Sequence, residues 1–298
     1  MRVRGLLGLE LPHPIMTGSG TISETPRQIE SLLEFGAAAV VTKTIYAGSF
    51  AGTDEKVRRF AHGAVNSTTF SRRPLLDWLS DLRALATRHN NIVVNIHGPT
   101  ADALGDLAYA IAAVCPFPFE LGISCPTDGS DKALSGSFVC ACVREVKRRA
   151  ARPLSVKLAA GAGAVELALA AEREGADAIS MSDTLPAILT LRAPRRPACE
   201  GSMGYSGPGI KPLVLHAVHS LREGGLRIPV IGIGGISDEE DVRDYLHLGC
   251  VAVQLHTELM LHGAARLARI CSGFLATDEE VSAADRPEAK FGAAHALH

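Results

Sequence analysis

Short apolar runs alternate along the chain with longer stretches in which apolar residues recur at helical spacing. The runs lie at 14–17, 38–42, 92–96, 119–124, 154–158, 178–181, 229–233 and 251–255. Most are near-continuously apolar, the pattern of strands buried on both faces. The stretches between them predict helices over 26–34, 75–88, 101–113, 137–150, 165–174, 212–223 and 238–248. Eight such strands with intervening helices predict an α/β fold, a closed (β/α)8 TIM barrel, rather than an open doubly wound sheet. The whole chain, 1–298, is expected to form one domain, with a polar, Ala-rich tail from about 277 that is partly mobile.

In such a barrel the chemistry gathers where the strands end, because the loops there vary without disturbing the packed interior. The polar residues obey this rule. Gly18-Ser19-Gly20, Lys43-Thr44, Asn95-Ile96-His97, Ser124-Cys125-Pro126-Thr127, Lys157, Ser182-Asp183-Thr184, Gly234-Gly235 and His256-Thr257 all follow apolar runs. Two connections, 45–73 and 185–210, are long enough to act as lids or pocket walls.

Charge and composition narrow the function classes. Thirty basic and 32 acidic residues are interspersed, for a net charge of -2, which leaves no electrostatic footprint for nucleic acid or an anionic membrane. No apolar run approaches the ~18 residues of a membrane helix, and the first ten residues lack the apolar centre of a signal peptide, so a cytoplasmic location is expected. Seven scattered cysteines with no CxxC give neither a disulfide framework nor a cluster site, and no metal is expected. Six of them read as core packing.

The segment Gly232-Ile233-Gly234-Gly235 joins a strand to a helix, where backbone N–H groups and the helix N-terminus favour an anion. The next strand ends in Gln254-Leu255-His256-Thr257, and upstream lies Tyr205-Ser206-Gly207-Pro208-Gly209-Ile210-Lys211-Pro212. Together, after strands seven and eight, these loops predict a phosphate-bearing ligand.

From Leu9 to about Arg269 the motifs fall in a familiar order: Thr17-Gly18-Ser19-Gly20-Thr21, Val41-Thr42-Lys43-Thr44, Val65-Asn66-Ser67, Val94-Asn95-Ile96, Ile123-Ser124-Cys125-Pro126, Val156-Lys157-Leu158, Ser206-Gly207-Pro208-Gly209, Gly232-Ile233-Gly234-Gly235 and Ala252-Val253-Gln254. This order resembles the class 1 dihydroorotate dehydrogenases and the related dihydropyrimidine dehydrogenase domain. The resemblance implies an FMN-dependent oxidoreductase acting on a small molecule. It places Gly18, Ser19 and Gly20 against the flavin ring, with Lys43, Asn95 and Lys157 near it and Ser206, Gly207, Gly234, Gly235 and Thr257 at the phosphate. It makes Cys125 the proton-handling residue, supported by Lys43, and sets Asn66, Ser67, Thr127, Asp183 and Thr184 around the substrate. A partner chain for electron transfer and a homodimer are also expected.

Several positions depart from the family pattern. Gly122, Thr127 and Asp183 stand where the resemblance leads one to expect asparagines, and His256 replaces a glycine beside Thr257. Each lost buried hydrogen-bond partner costs about 1–3 kcal/mol, so the expected substrate is a ring or amino-acid-like metabolite other than orotate. His256 either donates to the phosphate or crowds it, and His97 serves either acid–base or structural ends. Three readings remain beside the leading one: a dihydroorotate or dihydropyrimidine dehydrogenase subunit, a non-redox barrel gripping a substrate phosphate, and a flavin-binding protein without activity.

Overall fold

Eight parallel strands form where the doubly buried runs lie: β1 (Ile15–Thr17), β2 (Val40–Val41), β3 (Ile92–His97), β4 (Phe119–Gly122), β5 (Leu154–Ala159), β6 (Ala178–Asp183), β7 (Val230–Ile233) and β8 (Ala252–Leu255). The structure is a computed structural model that describes residues 1–48, 55–123, 135–192, 195–197 and 202–283. The strands pair in chain order from β3 to β8; β8 then pairs with β1, and β2 joins β1 to β3 through Val40↔Ile92. No edge is left, so the barrel closes. The helices are α1 (Pro26–Glu34), α2 (Leu75–Ala86), α3 (Ala101–Ala112), α4 (Gly136–Ala150), α5 (Ala164–Arg173), α6 (Lys211–Glu223) and α7 (Glu239–His247). Their starts are where local chemistry favours them. Thr25 and Gln28 form a capping box with Pro26 at the first turn, and Thr100, Ser135 and Asp238 cap α3, α4 and α7.

After β8 come α8 (Thr257–His262) and α9 (Ala265–Ala283). The segment expected to be mobile from about 277 therefore begins as helix. Its remainder lies outside the described residues, as do Cys125 and Thr127. Among the described residues no helix is long and apolar enough to cross a membrane.

Two apolar layers hold the barrel. The outer one packs strand residues such as Ile92, Phe119 and Leu154 against Trp78, Leu104 and Val143 of the helices. The inner one lies inside the barrel, where Met16, Val41, Val93, Ala178, Ile231 and Ala252 meet Leu6, Leu7, Leu9 and Leu11. Those leucines belong to an antiparallel hairpin, Val3–Leu6 with Leu9–Leu11, which plugs the barrel floor. Two residues farther along their strands, on the same inward face, Val93, Ala178 and Ala252 are succeeded by Asn95, Ser180 and Gln254. The interior thus changes from apolar floor to polar upper layer.

The two long connections meet. Gly63–Asn66 from the first pairs with Met203–Ser206 from the second, and Val57–Phe60 and Leu185–Ala187 complete a four-stranded antiparallel sheet. This sheet carries Asn66 and Ser206 to the C-terminal mouth of the barrel.

Candidate active site

A cavity opens at the strand C-termini. Its wall includes Ser19, Gly20, Lys43, Asn95, Gly122, Lys157, Asp183, Thr184, His256 and Thr257 from strand ends. Asn66, Ser206 and Gly207 come from the antiparallel sheet and the turn after it, and Gly234 and Gly235 from the loop after β7. Residues scattered over more than 230 positions are thus brought to one site.

At its base lies Glu120 of β4, a carboxylate with 0% exposure. One oxygen accepts from Asn95 Nδ2 at 2.7 Å; the other accepts from Ser180 Oγ at 2.7 Å and Gln254 Nε2 at 2.8 Å. Three donors compensate the loss of water that would otherwise make a buried carboxylate costly. With both amide nitrogens turned to Glu120, Asn95 Oδ1 and Gln254 Oε1 are buried without a hydrogen-bond partner.

The positive groups lie nearby. Lys43 is 3% exposed, and its Nζ is 3.9 Å from Glu55 Oε1, an ion pair beyond hydrogen-bond length. Lys157 is also buried on the cavity wall. Burial, then the charges of Lys157 and Lys43, lower the His256 pKa to about 4. The imidazole is therefore neutral near pH 7 and adds no positive charge for a phosphate. Its ring packs on Gly20, where any Cβ would overlap it.

The glycine loops form the other side. Gly235 has φ +72°, and a Cβ there would stand 2.6 Å from Lys211 Cβ, so glycine satisfies both the backbone and the packing. Lys211 itself is held by Asp241 and, at 2.6 Å, by Asp244, while Tyr245 Oη donates to Gly234 O at 2.5 Å. The loop is thus braced from behind by side chains.

Two expected site residues are set back from the cavity wall. Gly18 lies behind it against Gln254, with its N–H donating to Leu255 O, and Ser67 Oγ accepts from Lys56 N at 2.9 Å within the long connection. Asn66 reaches the wall, but its amide also ties the antiparallel sheet together: Nδ2 donates to Gly204 O, and Oδ1 accepts from Thr68 Oγ1 at 2.7 Å. One Asp183 carboxylate oxygen accepts the Thr184 N–H at 2.8 Å. His97 stacks on Phe70 with 4.5 Å between centroids, and Phe70 on Tyr46 at 4.8 Å, so its ring belongs to an aromatic stack whose Phe70 faces the cavity. Burial raises the Cys115 thiol to about 11 and those of Cys142, Cys250 and Cys271 to about 12, which suits core packing.

Sequence reasoning missed Glu120. A lone acid inside the apolar run Phe119-Glu120-Leu121 was the available signal, since a charge on a doubly buried strand needs partners.

The family model for dihydroorotate dehydrogenase matches residues 3–277. The chain belongs to the dihydroorotate dehydrogenase family. Its members are FMN-dependent oxidoreductases acting on CH–CH bonds. Among relatives of this dihydroorotate dehydrogenase-family chain, dihydroorotate dehydrogenase B (NAD(+)), catalytic subunit, of Thermococcus kodakarensis is 35% identical over 266 residues, covering 87% of this chain and 86% of the relative. The protein of the same name from Pyrococcus abyssi is 32% identical over 276 residues, covering 90% and 91%. The crystal structure of DHODH from Eimeria tenella in complex with ferulenol matches the fold with a TM-score of 0.80 at 17% identity, covering 94% of this chain and 85% of that one.

Proposed function

We propose that this chain is the flavin-bearing catalytic barrel of an enzyme that oxidises or reduces a CH–CH bond in a small N–H-bearing ring or amino-acid-like metabolite other than orotate. The observation that carries the substrate reading is the substituted wall: Asp183 lines the cavity, and Gly122 supplies no side chain. Asp183 adds an acceptor-only negative group, which suits a neutral or cationic ligand better than the orotate anion.

The residues present fit FMN. Two buried lysines, the strand-end residue Asn95 and glycine loops braced from behind line one cavity. In this reading Ser19 and Gly20, with Gly18 behind them, border the ring; Lys43, Asn95 and Lys157 approach it; Ser206, Gly207, Gly234, Gly235 and Thr257 hold the phosphate end. His256 packs on Gly20 as a neutral wall. FMN, when bound, supplies the two-electron chemistry. The chain supplies fixed positive charge from Lys43 and Lys157, which stabilises electron density gained on reduction. Cys125 moves the proton of the neighbouring substrate carbon, and Asn66, Asp183 and Thr184, with Ser67 set behind them, shape the substrate side, to which the family resemblance also assigns Thr127. The names of the relatives favour a second reading, oxidation of dihydroorotate itself, with electrons passed to a partner subunit. We read the chain as one domain that forms a homodimer, which sizing by light scattering checks.

The purified protein should be yellow, with absorbance near 450 nm. Cys125→Ala should abolish turnover and leave that absorbance in place; undiminished turnover would remove Cys125 from the proton transfer. Steady-state kinetics separate the substrate readings. Asp183→Asn should raise kcat/KM for dihydroorotate about tenfold, the scale of one recovered hydrogen bond. Efficient wild-type turnover of dihydroorotate, unimproved by the substitution, would establish the second reading.

A further inference from the structure

The first long connection brings a carboxylate up to Lys43. Residues 55 and 56 lead into Val57–Phe60, the outer strand of the antiparallel sheet over the mouth. Lys56 is tied to Ser67 in both directions: its N–H donates to Ser67 Oγ at 2.9 Å, and its carbonyl accepts the Ser67 N–H at 2.9 Å. This pairing holds Glu55 beside the segment that follows Ser67. Glu55 Oε1 accepts the Thr69 N–H at 3.4 Å and stands 3.9 Å from both Lys43 Nζ and Arg72 Nη2. Lys43 and Thr69 line the cavity, so the carboxylate adjoins its wall at two points.

A buried lysine on a cavity wall attracts an anionic ligand. A carboxylate beside its ammonium opposes that attraction, and a ligand farther off than the pair is wide meets a dipole rather than a unit charge. Asp183, at the end of β6, sets a second carboxylate on the same wall. We propose that Glu55 is a specificity-determining residue: by cancelling the charge that Lys43 shows to the substrate, it makes the cavity favour an uncharged ring over the carboxylate-bearing form of the same ring. The inference rests on the FMN and substrate readings above, and assigns part of the substrate choice to a residue of the long connection. The same cancellation reaches the flavin, because a lysine without its counter-charge stabilises the electron density of the reduced form more strongly. Glu55 is 27% exposed, so solvent screens the effect in part and leaves it moderate in size.

Glu55→Gln tests this by removing a charge at nearly constant volume, since the amide oxygen still accepts the Thr69 N–H. The probes are uracil and orotate, the same pyrimidine ring without and with a carboxylate. Their dissociation constants are read from perturbation of the flavin band near 450 nm in the FMN-loaded protein, at low and at high salt. The flavin midpoint potential, measured without any substrate, is the second readout. Glu34→Gln, on the exposed end of α1, removes the same net charge far from the cavity and serves as the control.

Glu55→Gln should strengthen orotate about tenfold, the order of effect of one unit charge across a small, partly desolvated site, while uracil changes less than about twofold. The gain should shrink as salt rises, and the midpoint potential should move to a more positive value. Glu34→Gln should reproduce neither change. Glu55→Asp keeps the charge and should stay close to the wild type in both readouts. Orotate and uracil shifting together, orotate showing no gain, an unmoved potential, or an equal gain in Glu34→Gln each overturns the role of Glu55. Those outcomes in a flavin-loaded protein leave the FMN reading standing; a wild-type protein that takes up no FMN removes that reading and this inference together, which distinguishes the two failures.

Discussion

The imidazole of His256 has no simple counterpart in a glycine-lined phosphate site. Partly buried, with Nδ1 inaccessible, and flanked by two lysines, it resists protonation down to about pH 4, whereas in the unfolded chain it titrates near 6.5. Between those values the unfolded chain holds a proton that the folded chain refuses. Stability therefore falls as pH drops from about 6.5 toward 4, by roughly 3 kcal/mol at the lower end, and this contribution is flat above 6.5. Burial lowers the His13 pKa too, so that residue adds in the same direction. His256→Asn should flatten the acid limb of a plot of Tm against pH by several degrees while leaving Tm near pH 7.5 less affected. An unchanged acid limb would mean the ring is protonated in the folded protein. Glu120 shows the complementary case, a buried carboxyl whose oxygens are met by three donors.

At the scale of elements, the barrel strands were legible because they are buried on both faces and most read as near-continuous apolar runs, and the helices because their caps and spacing agree. The antiparallel sheet over the mouth was not. Its central pair, Val65↔Tyr205, joins segments 140 positions apart, and nothing local in either long connection specifies the other. The sequence suggested pocket walls there without the pairing that builds them. The direction of the Asn95 amide was equally hidden, since it depends on a partner from another strand. The floor hairpin allows a direct test of how separable the two barrel ends are. Leu11 is buried in the inner apolar layer, far along the strands from the polar one. Leu11→Ala should cost about 2–5 kcal/mol in urea unfolding, the range for a leucine truncated in a packed core. FMN affinity should change less than twofold, and a parallel loss of flavin would show that the floor and the site are mechanically one unit.

For the molecule as a whole, the open step is how a flavin held in this barrel would exchange electrons with a second reactant besides the substrate. The barrel closes on itself, and its cavity is formed at one end from strand termini and the antiparallel sheet. A flavin held there can exchange electrons with a substrate that enters the mouth, and with small acceptors that enter after it. Transfer to a nicotinamide requires either that the nicotinamide use the same mouth or that a second protein relay the electrons. The chain has no CxxC pair, which argues against a cluster relay built into it. Under the second reading proposed above, in which electrons pass to a partner subunit, a nicotinamide acceptor is reached through that subunit and not through the barrel mouth. The purified chain, loaded with FMN and given its substrate, should therefore reduce a small dye acceptor at a rate at least a hundredfold, on the order of 3 kcal/mol in barrier, above its reduction of NAD(+). Adding a co-purified partner should raise the NAD(+) rate toward the dye rate. Rapid NAD(+) reduction by the chain alone would show that the nicotinamide reaches the flavin through the barrel mouth, and would make the partner unnecessary.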